Sequence, residues 1–269
     1  MHADRWLEFR KTPVRPGNYF LRALDDDAFA ALRPHLEILN VPNGYIFGPS
    51  ERSSEYLYFP ISCVLNVYGE LADGSTAETK VVSRFGFLGA TALVGVRRNW
   101  GVITAIHGGQ IARVRSAVAA PILRRCRNVV DEMLRYVVFT MHLLSLSLVC
   151  QRHHSLEQRL ARWLSLMRVQ TGVDTLDVTH DQLGRLLGVR REGISETMKT
   201  FECARLVTST RGHLHIVDPL RLRQRACACI DEARAAHTRF FPRRSIELTV
   251  AAGLAPLREP TEQRYAQAG

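Results

Sequence analysis

Residues 136–151 contain no Asp, Glu, Lys or Arg. An uncharged run of this length constrains the fold strongly, because its apolar side chains need shelter in a membrane, in a core or against another helix. A membrane span needs about 18–20 apolar residues. This run is shorter and includes Thr140, His142, Ser145 and Ser147. Through it, Val130, Leu134, Val137, Met141, Leu144 and Leu148 fall at alternating steps of four and three. That is the a/d seam of a helix paired with another helix. The spacing predicts a dimerisation helix over 122–153, paired with its twin in a second subunit and not placed in a membrane. Met133, Val138, Leu143 and Leu146 are expected to pack on the preceding domain.

Upstream the texture is different. Residues 1–20 carry Pro13, Pro16 and Gly17 and read as a flexible arm. Asp25, Asp26 and Asp27 ahead of Ala28–Leu32 mark a helix start, with acids in the first turn. Short β-branched and aromatic runs follow: Tyr56–Phe59, Val64–Tyr68, Thr79–Val82, Val102–Ile106 and Ile111–Val114. Asp73-Gly74 and Gly108-Gly109 are hairpin signals, since a type I′ turn needs positive φ at both central residues. Close-spaced short strands predict an antiparallel β-roll over 21–121.

Downstream, Ser155-Leu156-Glu157-Gln158 and Thr179-His180-Asp181-Gln182 have capping-box form. Leu183, Leu186 and Leu187 give the second of these helices an apolar face. Gly188-Val189 makes a turn, and Ile194, Met198 and Phe201 give the next helix its buried side. Leu206-Val207 and Leu214–Val217, joined by Arg211-Gly212, read as a wing. Helix, turn, helix and hairpin over 154–220 is the order of a winged helix-turn-helix. Residues 221–269 are Arg- and Ala-rich and read as a helix fraying into a tail.

The second helix of such a motif places its N-terminal residues in the major groove. Arg190 and Arg191 sit in that first turn. Arginine forks onto O6 and N7 of guanine, and Glu192 beside it can accept from N4 of cytosine. The capped start at Thr179 presents amides to a phosphate. His180, Gln182, Ser195, Glu196, Lys199, Arg211 and His213 complete the candidate contacts. The formal net charge of +10 and a pI near 9.8 favour an anionic partner.

The six cysteines, at 63, 126, 150, 203, 227 and 229, form no CxxC pair. With no secretory-signal pattern, they read as reduced thiols in a cytoplasmic protein. Cys227-Ala228-Cys229 would need two more ligands nearby in space to hold a metal, and the pair reads as buried small hydrophobes. His213-Leu214-His215 has no matching ligand spacing, and His153-His154 reads as a solvated pair. No metal or cofactor is expected. Paired carboxylates, nucleophile-and-base spacing and a phosphate loop are all missing from the sequence, so no enzyme is expected.

From Leu21 to Val217 this order resembles the CRP/FNR family of bacterial transcription regulators: sensor roll, long dimer helix, winged helix-turn-helix. The most specific segment runs from Thr179 to Met198. There Arg191-Glu192 matches the family's base-reading pair, and Ser195 matches a small polar residue facing the groove. Three positions depart from the pattern. Arg190 replaces a capping Ser, Gly193 replaces a Thr, and Glu196 replaces an arginine that commonly contacts DNA. The resemblance implies an α+β protein that binds a palindromic double-stranded operator as a homodimer and works with RNA polymerase. Glu196 implies a half-site unlike the family's standard one.

The family's cyclic-nucleotide cassette has the form Gly-Glu-Leu-Gly with a later Arg-Ser/Thr pair. Here it is Gly86-Phe87-Leu88-Gly89 followed by Val96-Arg97-Arg98-Asn99. Phe87, Leu88, Arg97 and Arg98 mark the candidate effector pocket. Without the acid and the Arg-Ser/Thr pair, cyclic AMP is not expected to bind with normal affinity, and the effector is unassigned. No cysteine precedes Cys63, so the iron–sulfur branch is not matched. The haem-sensing branch stays open, with no ligand pair standing out. The alternative reading is an effector-binding protein whose helix-turn-helix is degenerate, with Glu196 as its best support.

Overall fold

The computed structural model describes residues 15–47, 55–70, 72–73, 76–96 and 101–241. The chain folds as an α+β protein: a roll of two antiparallel sheets, a long helix, and a helix-turn-helix with a wing. One sheet has the order β1 (Glu37–Val41), β6 (Gly109–Arg115), β2 (Tyr56–Pro60). The other has the order β4 (Thr76–Val82), β3 (Val64–Glu70), β5 (Val102–His107). Alternate residues of both sheets point into a shared core of Leu39, Phe47, Tyr58, Leu65, Ile103 and Ile111 among others. Aromatic rings fill it edge to face, with Phe47 5.1 Å from Tyr45 and 5.2 Å from Tyr58 between centroids.

The expected hairpin at Gly108-Gly109 is not one. β5 pairs with β3, whereas β6 pairs with β1 and β2, so the two glycines carry the chain from one sheet to the other. A Cβ on Gly108 would lie 2.8 Å from Asn43 N, and one on Gly109 2.6 Å from Ser62 Oγ. Close backbone approach, and not a two-residue turn, is what requires glycine there. β3 and β4 do form a hairpin, paired out to Glu70↔Thr76. Gly74 of the expected turn lies outside the described residues.

The N-terminal arm is ordered sooner than expected. Asn18, fully buried, accepts from the amides of Phe20 and Leu21 and donates to the carbonyls of Pro60 and Gly86. It thereby caps α1 (Tyr19–Ala23) and ties it to the roll. Asp25 caps α2 (Asp26–Leu32) by accepting from Ala28 N, as the acidic start implied. Residues 1–14 of the arm lie outside the described residues.

After β2–β6 and the short α3 (Ala90–Leu93), the chain enters α4 (Ser116–Arg125) and then α5 (Arg127–His153). The helix expected from 122 is therefore two helices. Cys126, with φ −98° and ψ 88°, breaks the run, and its carbonyl restarts the ladder by accepting from Val129 and Val130. The inner face of α5 buries Met133, Tyr136 and Phe139 against the roll and α1. Phe20, Phe87 and Tyr136 meet there, Phe20 edge to face with both partners and the other two tilted, with centroids 4.7–5.3 Å apart. Leu143 and Leu146 are partly buried, but Val138, expected to pack inward, is exposed.

The C-terminal unit begins with α6 (Leu156–Thr171), whose capping box at Ser155 and Gln158 is formed. Gly172, at φ 76°, ends it in the left-handed conformation. Then come β7 (Thr175–Asp177), α7 (His180–Leu187), α8 (Arg191–Cys203), β8 (Val207–Thr210) and β9 (His213–Ile216). The three strands form one sheet in the order β7-β9-β8. Leu160, Leu164, Leu183, Ile194, Met198 and Phe201 make its core. α9 (Pro219–Arg225) and α10 (Cys229–Phe240) follow. α10 packs back on α5, where Phe139 meets His237, Phe240 and Phe241 at 5.4–5.7 Å. Residues 242–269 lie outside the described residues.

Candidate nucleic-acid interface

The two helices of the motif are held at a fixed angle by a turn with little freedom. The side chain of Thr179 accepts from Gln182 N, while Gln182 Oε1 accepts from Thr179 N at 2.8 Å. Gly188 closes α7 at φ 64°. A Cβ on Gly184 would lie 2.9 Å from Val189 O, so the turn backbone crosses directly over this residue. Arg190 is the N-cap of α8 and makes no side-chain cap bond, leaving its guanidinium outside the motif's own hydrogen bonds.

Along α8, Ile194, Met198 and Phe201 are buried, which turns Arg191, Glu192, Glu196 and Lys199 to solvent. The wing then brings Arg211 and His213 to the same side. Arg211 and Gly212 make the wing turn with φ of 35° and 90°. A concavity runs between α7, the start of α8 and the wing, lined by Thr179, His180, Arg191, Arg211 and His213. Five expected contacts, from three separate elements, therefore face one groove. Asp181 and Ser209, which sequence reasoning did not single out, line it as well. A residue two places after a helix cap is a weak sequence signal, so Asp181 was not distinguishable from an ordinary first-turn acid.

Five of the expected contacts, Thr179, His180, Gln182, Ser195 and His213, are engaged within the protein. Gln182 completes the capping box, and His180 Nδ1 and Ser195 Oγ lie 3.0 Å apart. His213 Nδ1 lies 2.6 Å from Asp177 Oδ1 across the β7–β9 pair. His215 is likewise 3.0 Å from Thr175 Oγ1. Both histidines of the His213-Leu214-His215 run therefore have cross-strand partners. Gly193 faces inward, with Leu156 Cδ2 3.2 Å from where its Cβ would be, so a side chain of α6 packs over α8 at this residue.

A Crp-like helix-turn-helix domain model matches residues 158–225. Solved structures of the same architecture include a transcriptional regulator of the crp/fnr family from Eubacterium rectale. It is 18% identical, covers 76% of this chain and 95% of its own, and has a TM-score of 0.62. The chain has the CRP/FNR fold. A CRP-family transcriptional regulator from Thermus thermophilus (15% identical; 70% and 95% covered; TM-score 0.58) shares this fold. So does the c-di-GMP responsive regulator CLP of Xanthomonas campestris (13% identical; 71% and 99% covered; TM-score 0.56). No curated protein sequence matches the chain.

Within the CRP/FNR fold, the segment resembling the nucleotide cassette serves the core. Phe87 is 1% exposed among Phe20, Phe59 and Tyr136, and Leu88 is buried where it pairs with Tyr58. A Cβ on Gly86 would lie 2.2 Å from Tyr136 Oη. The expectation that Phe87 and Leu88 line an effector pocket is overturned: both side chains are spent on packing against the roll and α5. Arg97 and Arg98 lie outside the described residues. A cavity of about 480 Å³ borders this segment at Gly86 and runs between β4, α5, α6 and α10, lined by Glu78, Lys80, Arg162 and Trp163 among others. There Trp163 Nε1 donates to Glu78 Oε2 at 3.2 Å, and burial pushes the Glu78 carboxyl up to about 7.

Proposed function

We propose that this chain is a homodimeric, sequence-specific DNA-binding transcription regulator acting in the cytoplasm. The observation that carries the reading is the groove in which Arg191, at the start of α8, faces the same space as Thr179, Arg211 and His213. An arginine at that place reads guanine by a two-pronged contact, while the helix start and the wing hold phosphates. On α5, Leu134, Val137, Met141, Leu144 and Leu148 are all exposed in the single chain. Such an apolar stripe supports pairing with a second copy, which would set two α8 helices about one turn of DNA apart on a palindromic site. RNA polymerase is the partner expected of a regulator with this architecture. Cyclic AMP is not its effector on this reading, because the cassette has Phe87 in place of the acid and no Arg-Ser/Thr pair.

The test is selection of bound genomic fragments by purified protein, with Arg191→Ala as control. A shared palindrome lost or relaxed in the variant is expected. Fragments without sequence preference at moderate salt would refute the reading and leave the degenerate-motif alternative.

A further inference from the structure

Two chain segments far apart in sequence converge on one small volume at the end of the long helix. Cys150 lies in the last turn of α5 and His154 is its C-cap. Cys227 and Cys229 come from the junction of α9 and α10. Cys150, Cys227 and Cys229 are buried together, and His154 is half-buried beside them. Cys150 Sγ and Cys227 Sγ are 3.5 Å apart, as are Cys229 Sγ and His154 Nδ1. All four ligand atoms lie within 4.8 Å of one another.

We propose that Cys150, His154, Cys227 and Cys229 form a binding site for a single zinc ion. The pair at 227 and 229 lacked two further ligands in the sequence; the fold supplies them. Zinc bonds of about 2.3 Å to sulfur and about 2.0 Å to nitrogen, arranged tetrahedrally, place two sulfurs about 3.8 Å apart and sulfur and nitrogen about 3.5 Å apart. The observed spacings fit one ion. They do not fit a polynuclear iron–sulfur cluster, whose ligands are bound to different irons and stand farther apart. Three thiols alone are explained as small buried hydrophobes. The imidazole of His154, with Nδ1 3.5 Å from Cys229 Sγ, supplies a nitrogen beside them as the fourth ligand. Binding releases the three thiol protons to solvent and leaves three thiolates and a neutral imidazole on the ion. The closed set of four protein ligands is that of a structural site, not a catalytic one. It clamps α9 and α10 to the joint at His154 and Ser155, where α5 hands over to α6. The site stands whether or not the groove binds DNA.

The experiment is a cobalt titration of full-length protein, purified reduced and metal-free, followed by zinc. One equivalent of cobalt is expected to produce thiolate charge-transfer absorption and the visible bands of a tetrahedral ion. One equivalent of zinc is expected to abolish both and raise the thermal unfolding midpoint. Cys227→Ser should weaken cobalt binding at least tenfold, whereas Cys203→Ser, at an exposed cysteine of α8, should leave it unchanged. A folded wild-type protein without the charge-transfer band would overturn the proposal. So would a Cys150–Cys227 disulfide in protein kept under reductant, or binding that survives the loss of both Cys150 and Cys227. Should the serine variants not fold, native mass spectrometry of the wild type decides: one bound zinc supports the site, and none overturns it.

Discussion

Replacing Glu78 by Gln is expected to change how stability depends on pH. Glu78 projects from β4 into the cavity between the roll and α6, where it accepts from Trp163 and feels the charge of Arg162. Lys80 lines the same cavity from the same strand. Burial outweighs the hydrogen bond and the cation, so the carboxyl stands at about 7 against an ordinary 4.5. Below pH 4.5 the group is protonated in both the folded and the unfolded chain, and it costs nothing. Between 4.5 and 7 the unfolded chain ionises freely while the folded one holds its proton, so stability falls as pH rises. Above 7 the loss is complete, at most about 3.5 kcal/mol, since each tenfold change in proton affinity is worth about 1.4 kcal/mol. Glutamine keeps an acceptor for Trp163 but carries no titrating proton. Glu78→Gln and wild type should therefore unfold at similar temperatures at pH 4. By pH 8 the variant should be several degrees more stable, given about 2–4 °C per kcal/mol in a protein of this size class. Taking the difference between the two proteins cancels the titration of every group they share. A difference that stays constant from pH 4 to pH 8 would refute the reasoning, because it would mean that the carboxylate is solvated across that range.

Other perturbations separate the roles of neighbouring side chains. Leu134 is 58% exposed on the outward stripe of α5. Burying the exposed part of a leucine is worth about 1–2 kcal/mol, and a twofold interface counts it twice. Leu134→Ala should weaken self-association by about 2–4 kcal/mol in sedimentation equilibrium, and an unchanged association constant would remove the stripe from the interface. Lys199→Ala should weaken binding to all DNA sequences about equally and reduce the slope of log K against log salt by about 1, measured by fluorescence anisotropy. A change in sequence preference instead would make Lys199 a base contact. Gly193→Ala should stabilise the protein by up to about 1 kcal/mol in denaturant unfolding. The helix gain from alanine applies in full if Leu156 Cδ2, the far end of a flexible side chain 3.2 Å away, turns aside. Destabilisation would show that the approach of α6 to α8 is rigid.

What the sequence made legible was set by local chemistry. The boxes at Ser155 and Thr179 are each complete within four residues, and both form as read. The wing follows from Arg211-Gly212 between two alternating runs, and the acids ahead of Ala28 start their helix. What escaped depends on distant partners. Gly108-Gly109 looks like a turn until Asn43 and Ser62 are placed against it. Asn18 looks like part of a loose arm until the carbonyls of Pro60 and Gly86 arrive to accept from it. Phe87 stands where the resemblance puts a ligand-binding acid, and nothing near it in sequence reveals that Tyr136 will cover it. Cys150 and Cys227 are 77 positions apart. No periodicity relates them.

The same distance dependence bears on how such a protein is switched. The winged unit meets its own roll partly through apolar packing of Val64, Val81 and Ile106 on the cluster around Leu183 and Leu186. The rest of the contact is polar: Trp163 to Glu78, Ser83 to Gln170, and Asn43 to the carbonyl of Asp177. Each such bond contributes only about 0.5–1.5 kcal/mol net. A ligand or a proton in this joint can therefore offset one of them at small cost. In the proposed dimer, the separation and tilt of two α8 helices would depend on this joint and on the α5 pairing, and half-site recognition is geometric. Small changes around Glu78 would therefore alter operator affinity with every DNA-facing side chain untouched. With Phe87 and Leu88 packed in the core, the cavity beside Glu78 offers a route to α8 through the joint.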